Sequence, residues 1–173
     1  MIWFTADWHL GHDNVLAYMK RPFGGMLEQS SYLVARFNSM VKPQDVTYFL
    51  GDMLWNKDHK VYLDALLGSK VFIAGNHDKR FFGDKHLEIR HIHPKDPAVQ
   101  IYASHYPLRS WPGRGKGAWN LHGHAHGLAP QWDGALDVGI DAHGFKPISL
   151  DDIIEYFKKE VPHGHEMSDS LFG

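Results

Sequence analysis

Five short apolar segments of this chain are each followed by a residue that can bind a metal ion. Each segment has the length and residue types of a β-strand. In an α/β fold the carboxyl ends of the strands meet at one crevice, so residues far apart in sequence come close in space. The pattern predicts an α/β fold with one shared site. The segments are residues 2–6 before Asp7 and His9, 46–51 before Asp52, 71–75 before Asn76, 99–104 before His105, and 119–123 before His124 and His126.

These candidate ligands are four imidazoles, two carboxylates and one amide. Nitrogen and hard oxygen donors suit Mn, Fe, Zn, Ni or Co, and the chain has no cysteine for a thiolate site. Seven ligands are too many for one tetrahedral zinc ion. They fit two divalent ions that share a carboxylate, roughly 3.5–4 Å apart. Glycines at positions 51, 75 and 123 precede three of the ligands and let the backbone approach the ions.

Each piece of this pattern also has an ordinary structural explanation. An aspartate after a strand, such as Asp7 or Asp52, often closes a turn or caps a helix. Gly75 followed by Asn76 is typical of a turn, and His124 with His126 suits an exposed surface. The coincidence of ligand types at five strand ends favours one shared metal centre over five unrelated structural roles.

The stretches between the segments have helical patterns, which completes an α/β alternation. Pro43 ends the first pattern because its ring cannot continue a helix, and Gly68 closes the second. Ser149 predicts the N-cap of the last helix. The predicted helices are residues 27–40, 61–67 and 149–160, and the further predicted strands are residues 88–92 and 136–140.

The length of 173 residues predicts one domain, residues 1–160, with a polar C-terminal tail at residues 161–173. A net charge of −2 gives no sign of stable nucleic-acid binding. No signal peptide is visible, and no apolar run approaches the ~20 residues of a membrane span. We therefore expect a cytoplasmic, soluble protein. The sequence predicts no oligomeric state.

The order of these motifs resembles the calcineurin-like metallophosphoesterase superfamily. The resemblance covers residues 7–126, and residues 7–14 and Arg21-Pro22-Phe23 further resemble small stand-alone members from bacteria and phages. It implies two packed β-sheets flanked by helices, a four-layer α/β/β/α sandwich. The motifs are Asp7-x-His9, Gly51-Asp52, Gly75-Asn76-His77-Asp78, His105 and Gly123-His124-x-His126.

The resemblance also implies a role for each residue. A hydroxide that bridges two metal ions would attack phosphorus. His77 would not bind metal but would stabilise developing charge and protonate the leaving oxygen, and Asp78 would orient its neighbours. The implied ligands are Asp7, His9 and His126 for one ion, Asn76, His105 and His124 for the other, and Asp52 for both.

Candidate substrate contacts lie outside these motifs. His12 follows His9 by three residues and is predicted to reach the substrate phosphate, although a structural role is an equal alternative. Arg109, with Arg114 and Lys116, lies in a loop at residues 107–117 rich in Gly, Pro and Arg. These cations either clamp a phosphate or face solvent. The tryptophans are mostly candidates for the core, although Trp111 in the same loop is a candidate to stack on a base or a ring.

The predicted reaction is hydrolysis of a phosphodiester of a small molecule or nucleotide, with manganese as the favoured ion. No arginine follows Gly51-Asp52 within a turn, whereas the protein-phosphatase branch grips a terminal phosphate with one there. A phosphomonoesterase or a nuclease on the same site are alternatives. A non-catalytic protein-binding scaffold is the least favoured function, because scaffolds of this fold tend to lose ligands that are all present here.

Overall fold

The computed structural model describes residues 1–82, 99–130 and 132–160. The predicted strand at residues 88–92 and the predicted tail at residues 161–173 lie outside the described residues. The strands are β1 Ile2–Thr5, β2 Val46–Leu50, β3 Ser69–Ile73, β4 Ile101–Ala103, β5 Trp119–His122, β6 Ala135–Asp137 and β7 Ile148–Ser149. The helices are α1 Asn14–Tyr18, α2 Met26–Met40, α3 Lys60–Asp64, α4 Lys79–Phe82 and α5 Leu150–Glu160.

The strands form two sheets. The first has the order β3-β2-β1-β7 and the second β4-β5-β6. β1, β2 and β3 are parallel, β7 is antiparallel to β1, and the second sheet is parallel throughout. Parallel strands end at a common edge, so the residues after them are neighbours. The predicted α/β fold of two sheets with flanking helices is confirmed.

Alternation along β1 decides which core each side chain joins. Phe4 lies in the cluster formed by both sheets, together with Leu50 of the first sheet and Leu121 of the second. Trp3 points to the other face and joins the cluster under α2 and α3. Because successive side chains of a strand point to opposite faces, β1 is buried on both sides. α5 adds Ile153 to the cluster between the sheets.

α2 covers the outer face of the first sheet. Its buried residues Met26, Leu33 and Phe37 recur at helical spacing, and Phe37 packs against Phe49 of β2 with ring centroids 5.9 Å apart. Full burial of such a side chain contributes about 1.5–3 kcal/mol. The helix ends at Met40, before extended Val41 and Pro43, as the sequence predicts.

The outer face of the second sheet is covered, in the described residues, by the 107–117 loop. Trp111 is buried against Ala118 and Ala135, and its indole N–H donates to the carbonyl of Ala118 at 2.7 Å. The suggestion that Trp111 stacks on a base is therefore wrong. Gly113, with a φ of 82°, turns the loop back and brings the indole onto the sheet.

The sequence patterns did not predict the shortest helices. α1 and α4 have five and four residues, too few for a helical period to show. The predicted helix at residues 61–67 ends earlier, at Asp64. Ser149 caps α5 as predicted, because its hydroxyl accepts from the N–H of Asp152 at 3.1 Å. None of the helices in the described ranges is long and apolar enough to cross a membrane.

The two faces of α2 give a stability test. Leu33 is 1% exposed and Leu27 is 67% exposed on the same helix. We expect Leu33→Ala to lower the free energy of unfolding by about 2–5 kcal/mol, because it leaves a cavity. The control Leu27→Ala should change it by less than about 0.5 kcal/mol. Urea denaturation followed by circular dichroism measures both, and equal effects would contradict the described packing.

Candidate metal centre

The predicted ligands meet at the common edge of the two sheets. Six of them form two groups, and within each group the ligand atoms lie within 4.8 Å of one another. The amide oxygen of Asn76, the seventh, lies 3.0 Å from Nε2 of His105 and so adjoins the second group. The two groups are Asp7, His9 and His126, and Asp52, His105 and His124.

Asp52 lies between the groups. Its Oδ2 is 3.4 Å from Nε2 of His105 and 3.8 Å from Nε2 of His9. Its Oδ1 accepts a hydrogen bond from the backbone N–H of His77 at 3.0 Å. One oxygen of this carboxylate is thus fixed by the backbone while the other faces ligands of both groups. This is the geometry that a shared carboxylate requires.

The backbone is strained at the same residues. Among the non-glycine residues of the described ranges, positive φ occurs at five of the predicted ligands, with values from 50° to 66°. A left-handed residue other than glycine costs of order 1–3 kcal/mol and persists only where the surroundings enforce it. This left-handed backbone changes the direction of each side chain at the point where its strand ends. The five are Asp7, His9, Asp52, His124 and His126.

Hydrogen bonds between loops hold this backbone in place. The N–H of Asp7 donates to the carbonyl of Gly51 at 3.1 Å, and that of His9 donates to the carbonyl of Asp52 at 2.9 Å. Asp78 ties the next loop to these. Its carboxylate accepts from the N–H groups of Met53 at 2.7 Å and Gly75 at 2.6 Å. Asp78 is fully buried. Its two hydrogen bonds connect the loops after β2 and β3 beneath the predicted ligands.

Two of the predicted ligand histidines are oriented through their Nδ1 atoms. Nδ1 of His126 lies 2.6 Å from Oδ2 of Asp141, and Nδ1 of His105 lies 2.8 Å from the carbonyl oxygen of Leu50. Acceptors at Nδ1 fix the ring and leave Nε2 as the ligand atom. His105 therefore presents Nε2 to Asp52 and Asn76.

Arg21 supports Asp141 from a fully buried position. Its Nε and Nη2 donate to the two carboxylate oxygens at 2.8 and 2.6 Å. Nη2 also donates to the carbonyl of Asp7 at 2.7 Å, and Nη1 donates to Gln29 at 3.0 Å. Neither Arg21 nor Asp141 was assigned a role from the sequence. The signal was present for Asp141, which directly follows the predicted strand at residues 136–140.

The electrostatics of the centre suit cations. Burial raises the pKa of Asp7 to about 7 and lowers the pKa of His9 to about 3. Burial also acts to raise the pKa of Asp52, but the hydrogen bond and charge of His105 outweigh it and hold that pKa at about 2. A divalent ion would keep Asp7 ionised and the imidazoles neutral, as metal binding requires.

His9 shows that a ligand fits here. The residue is 4% exposed, and neither of its ring nitrogens has a hydrogen-bond partner in the described ranges. A buried polar atom without a partner costs free energy, so such atoms call for an explanation. The nitrogens lie beside Asp7 and His126, and this donor set fits a transition-metal ion.

His77 and His12 lie at the rim of the centre. The side chain of His77 is 36% exposed, and its Nε2 is 3.8 Å from Oδ2 of Asp52. His12 stacks on Trp55 with ring centroids 3.9 Å apart and lies 6.3 Å from the ring of His77. Arg109 is exposed, and the described residues give its side chain no hydrogen bond or ion pair with the centre. Its role stays a prediction.

Two cavities adjoin the centre from different sides. One, of about 350 Å³, includes His126 together with the carboxylates Asp137 and Asp141 in its lining. The other, of about 330 Å³, is lined by Trp55, Asn76, His77, Lys79 and Arg80. Carboxylates repel a phosphate ester, whereas lysine and arginine attract it. The lining of the second cavity therefore suits a phosphate ester better than that of the first.

The family model for calcineurin-like phosphoesterases matches residues 1–168. The chain belongs to this family. Its members are metal-dependent phosphoesterases and typically bind two divalent ions, which agrees with the two ligand groups of this phosphoesterase.

Individual relatives match the chain in sequence, and one solved structure matches it in fold. An uncharacterized protein of Methanocaldococcus jannaschii is 31% identical over 170 residues, covering 91% of this chain and 92% of the relative. The Gene 66 protein of Mycobacterium phage D29 is 33% identical over 84 residues, 45% of this chain and 40% of that protein. The crystal structure of a protein of unknown function from Aquifex aeolicus matches with a TM-score of 0.66 and 23% identity, over 90% of this chain and 98% of that one.

The close approach of the loops at Gly75 yields a test of the centre. A Cβ there would overlap Oδ1 of Asp52 and lie 2.5 Å from its backbone nitrogen. We expect Gly75→Ala to displace Asp52 and weaken Mn²⁺ binding at least tenfold, measured by isothermal titration calorimetry. The control is Gly115→Ala, where a Cβ meets nothing within 4 Å. Unchanged binding by Gly75→Ala would show that Asp52 does not hold metal.

Proposed function

We propose that this phosphoesterase hydrolyses a phosphodiester of a small molecule or nucleotide at a centre of two manganese ions. The position of Asp52 carries the proposal, since its Oδ2 lies within 4 Å of ligand nitrogens from both groups. The proposed ligands are Asp7, His9 and His126 on one side, Asn76, His105 and His124 on the other, and Asp52 between them.

Two divalent ions held there would neutralise charge on the phosphate and lower the pKa of a water molecule for attack. The chain's own residues set the geometry for this chemistry. Asp141 and the carbonyl of Leu50 fix the rings of His126 and His105, so neither ring has to reorganise during the reaction. Preorganisation of this kind is a main source of catalysis.

His77 is the proposed general acid. Its backbone N–H is anchored on Asp52, which places the half-exposed ring over the cavity lined by Asn76 and Arg80. From there His77 can hydrogen-bond a phosphate oxygen and give a proton to the departing alcohol. His12, which stacks on Trp55, is proposed to contact the same phosphate from the other side of the rim.

The residues after Gly51-Asp52 support a diester. Met53 and Leu54 are buried, and no arginine stands among residues 53–56. A monoester carries nearly two negative charges and benefits from such a clamp, whereas a diester carries one. A phosphomonoesterase is the second candidate, favoured by the presence of Arg80 in the cavity wall.

Separate substitutions distinguish a general acid from a metal ligand. We expect His77→Ala to retain two Mn ions per chain, measured by mass spectrometry of the metals, and to lower turnover of an alkyl phosphodiester by ~10²–10⁴-fold. His124→Ala should lose bound metal as well as activity. Wild-type turnover in His77→Ala would remove its proposed role, and one ion per chain in the wild type would contradict the two-ion centre.

The ester preference is tested with two aryl phosphates. We expect kcat/KM for bis(p-nitrophenyl) phosphate to exceed that for p-nitrophenyl phosphate at the same Mn²⁺ concentration and pH, because the Gly51-Asp52 loop supplies no clamp for the second charge. A higher value for the monoester would favour the phosphomonoesterase. If Arg109→Ala then abolished that monoester preference, Arg109 would be the clamp.

A further inference from the structure

The cavity beside His77 has two cationic side chains in its wall. Lys79 and Arg80 both line it, and none of its described lining residues is a carboxylate. The scissile phosphate itself belongs over the metal ligands, next to Asn76 and His77. Lys79 and Arg80 line the same cavity as these two residues and can bind an anionic group of the substrate there.

The size of the cavity also exceeds one phosphate. Its volume of about 330 Å³ lies within the roughly 300–1,000 Å³ of small-molecule sites. A substrate that occupies it has a further group on the His77 side of the reacting phosphorus. Two of the five described lining residues are cations, which favours an anionic group at this position.

The wall of the cavity is fixed before a ligand arrives. Trp55 stacks on His12, with an angle of 11° between the rings. Arg80 donates a hydrogen bond to the backbone carbonyl of Trp55 and lies 4.8 Å over the ring of Phe81. A guanidinium held in this way loses little conformational entropy when it binds an anion, which favours affinity.

We propose that Arg80, assisted by Lys79, binds a second phosphate group of the substrate. The substrate class is then a nucleotide diester that carries another phosphate on its sugar. This proposal rests on the proposed function, because it places the reacting phosphate at the metal centre. Arg80 acts on the second phosphate, which distinguishes this role from a clamp on the scissile one.

Two esters that differ by one phosphate test the proposal. They are the p-nitrophenyl ester of thymidine 5′-phosphate and the same compound phosphorylated at the 3′-oxygen. We expect the wild type to have a roughly 10–100-fold higher kcat/KM for the bisphosphate, the effect of one or two charge-assisted hydrogen bonds. Arg80→Ala should reduce that ratio to near one, and Arg80→Lys should restore part of it because lysine keeps the charge.

The matched control is Arg36→Ala. Arg36 is exposed on α2 and lines neither cavity, so this variant should keep the wild-type ratio. Equal kcat/KM values for the two esters in the wild type would overturn the proposal. A ratio that persists in Arg80→Ala, or one that disappears in Arg109→Ala instead, would also overturn it.

A failure of the proposed function is recognised separately. Bis(p-nitrophenyl) phosphate carries no second phosphate, so its hydrolysis reports on the metal centre alone. If it is not hydrolysed, binding of thymidine 3′,5′-bisphosphate and thymidine 5′-phosphate is compared by calorimetry. Tighter binding of the bisphosphate that is lost in Arg80→Ala supports the second-phosphate site, and equal binding rejects it.

Discussion

The burial of two carboxylates among four imidazoles is the constraint on which this structure depends. Asp7 and Asp52 are 0% and 2% exposed, and a buried charge is tolerated only when it is paired or bound to metal. The protein supplies part of the compensation through backbone N–H groups, such as that of His124 to Asp7 at 2.9 Å. The nitrogens of His9, which have no partner in the described ranges, show where compensation by a cation belongs.

Packing and hydrogen bonds outside the site offset the free-energy cost of bringing these charges together. Left-handed backbone at Asp7 and His9 is held by hydrogen bonds to the loop after β2, and Asp78 ties that loop to the one after β3. Behind these loops lie cores on both faces of the first sheet. Rigid strands therefore enforce a local conformation that the site residues would not adopt alone.

Much of the fold followed from the sequence because strands and long helices have a period. The bounds of β2 and of α2 were both predicted to within one residue. That the predicted ligands would meet in space followed from the sequence because each one follows a strand. Trp111 was misassigned because a loop rich in glycine looks exposed until its turns are known. Arg21 and Trp55 were missed because a buried salt bridge and a ring stack depend on tertiary distances that no local pattern records.

The single guanidinium of Arg21 joins segments that are distant along the chain. It binds Asp141, 120 positions away, which in turn orients His126. Closing so long a loop costs entropy, and this cost must be met before the contact can stabilise the chain. The group of Asp7, His9 and His126 is thus completed only when both ends of the described chain have docked. An ion bound there would be selective for the finished fold over any partly folded form, and would stabilise it by mass action.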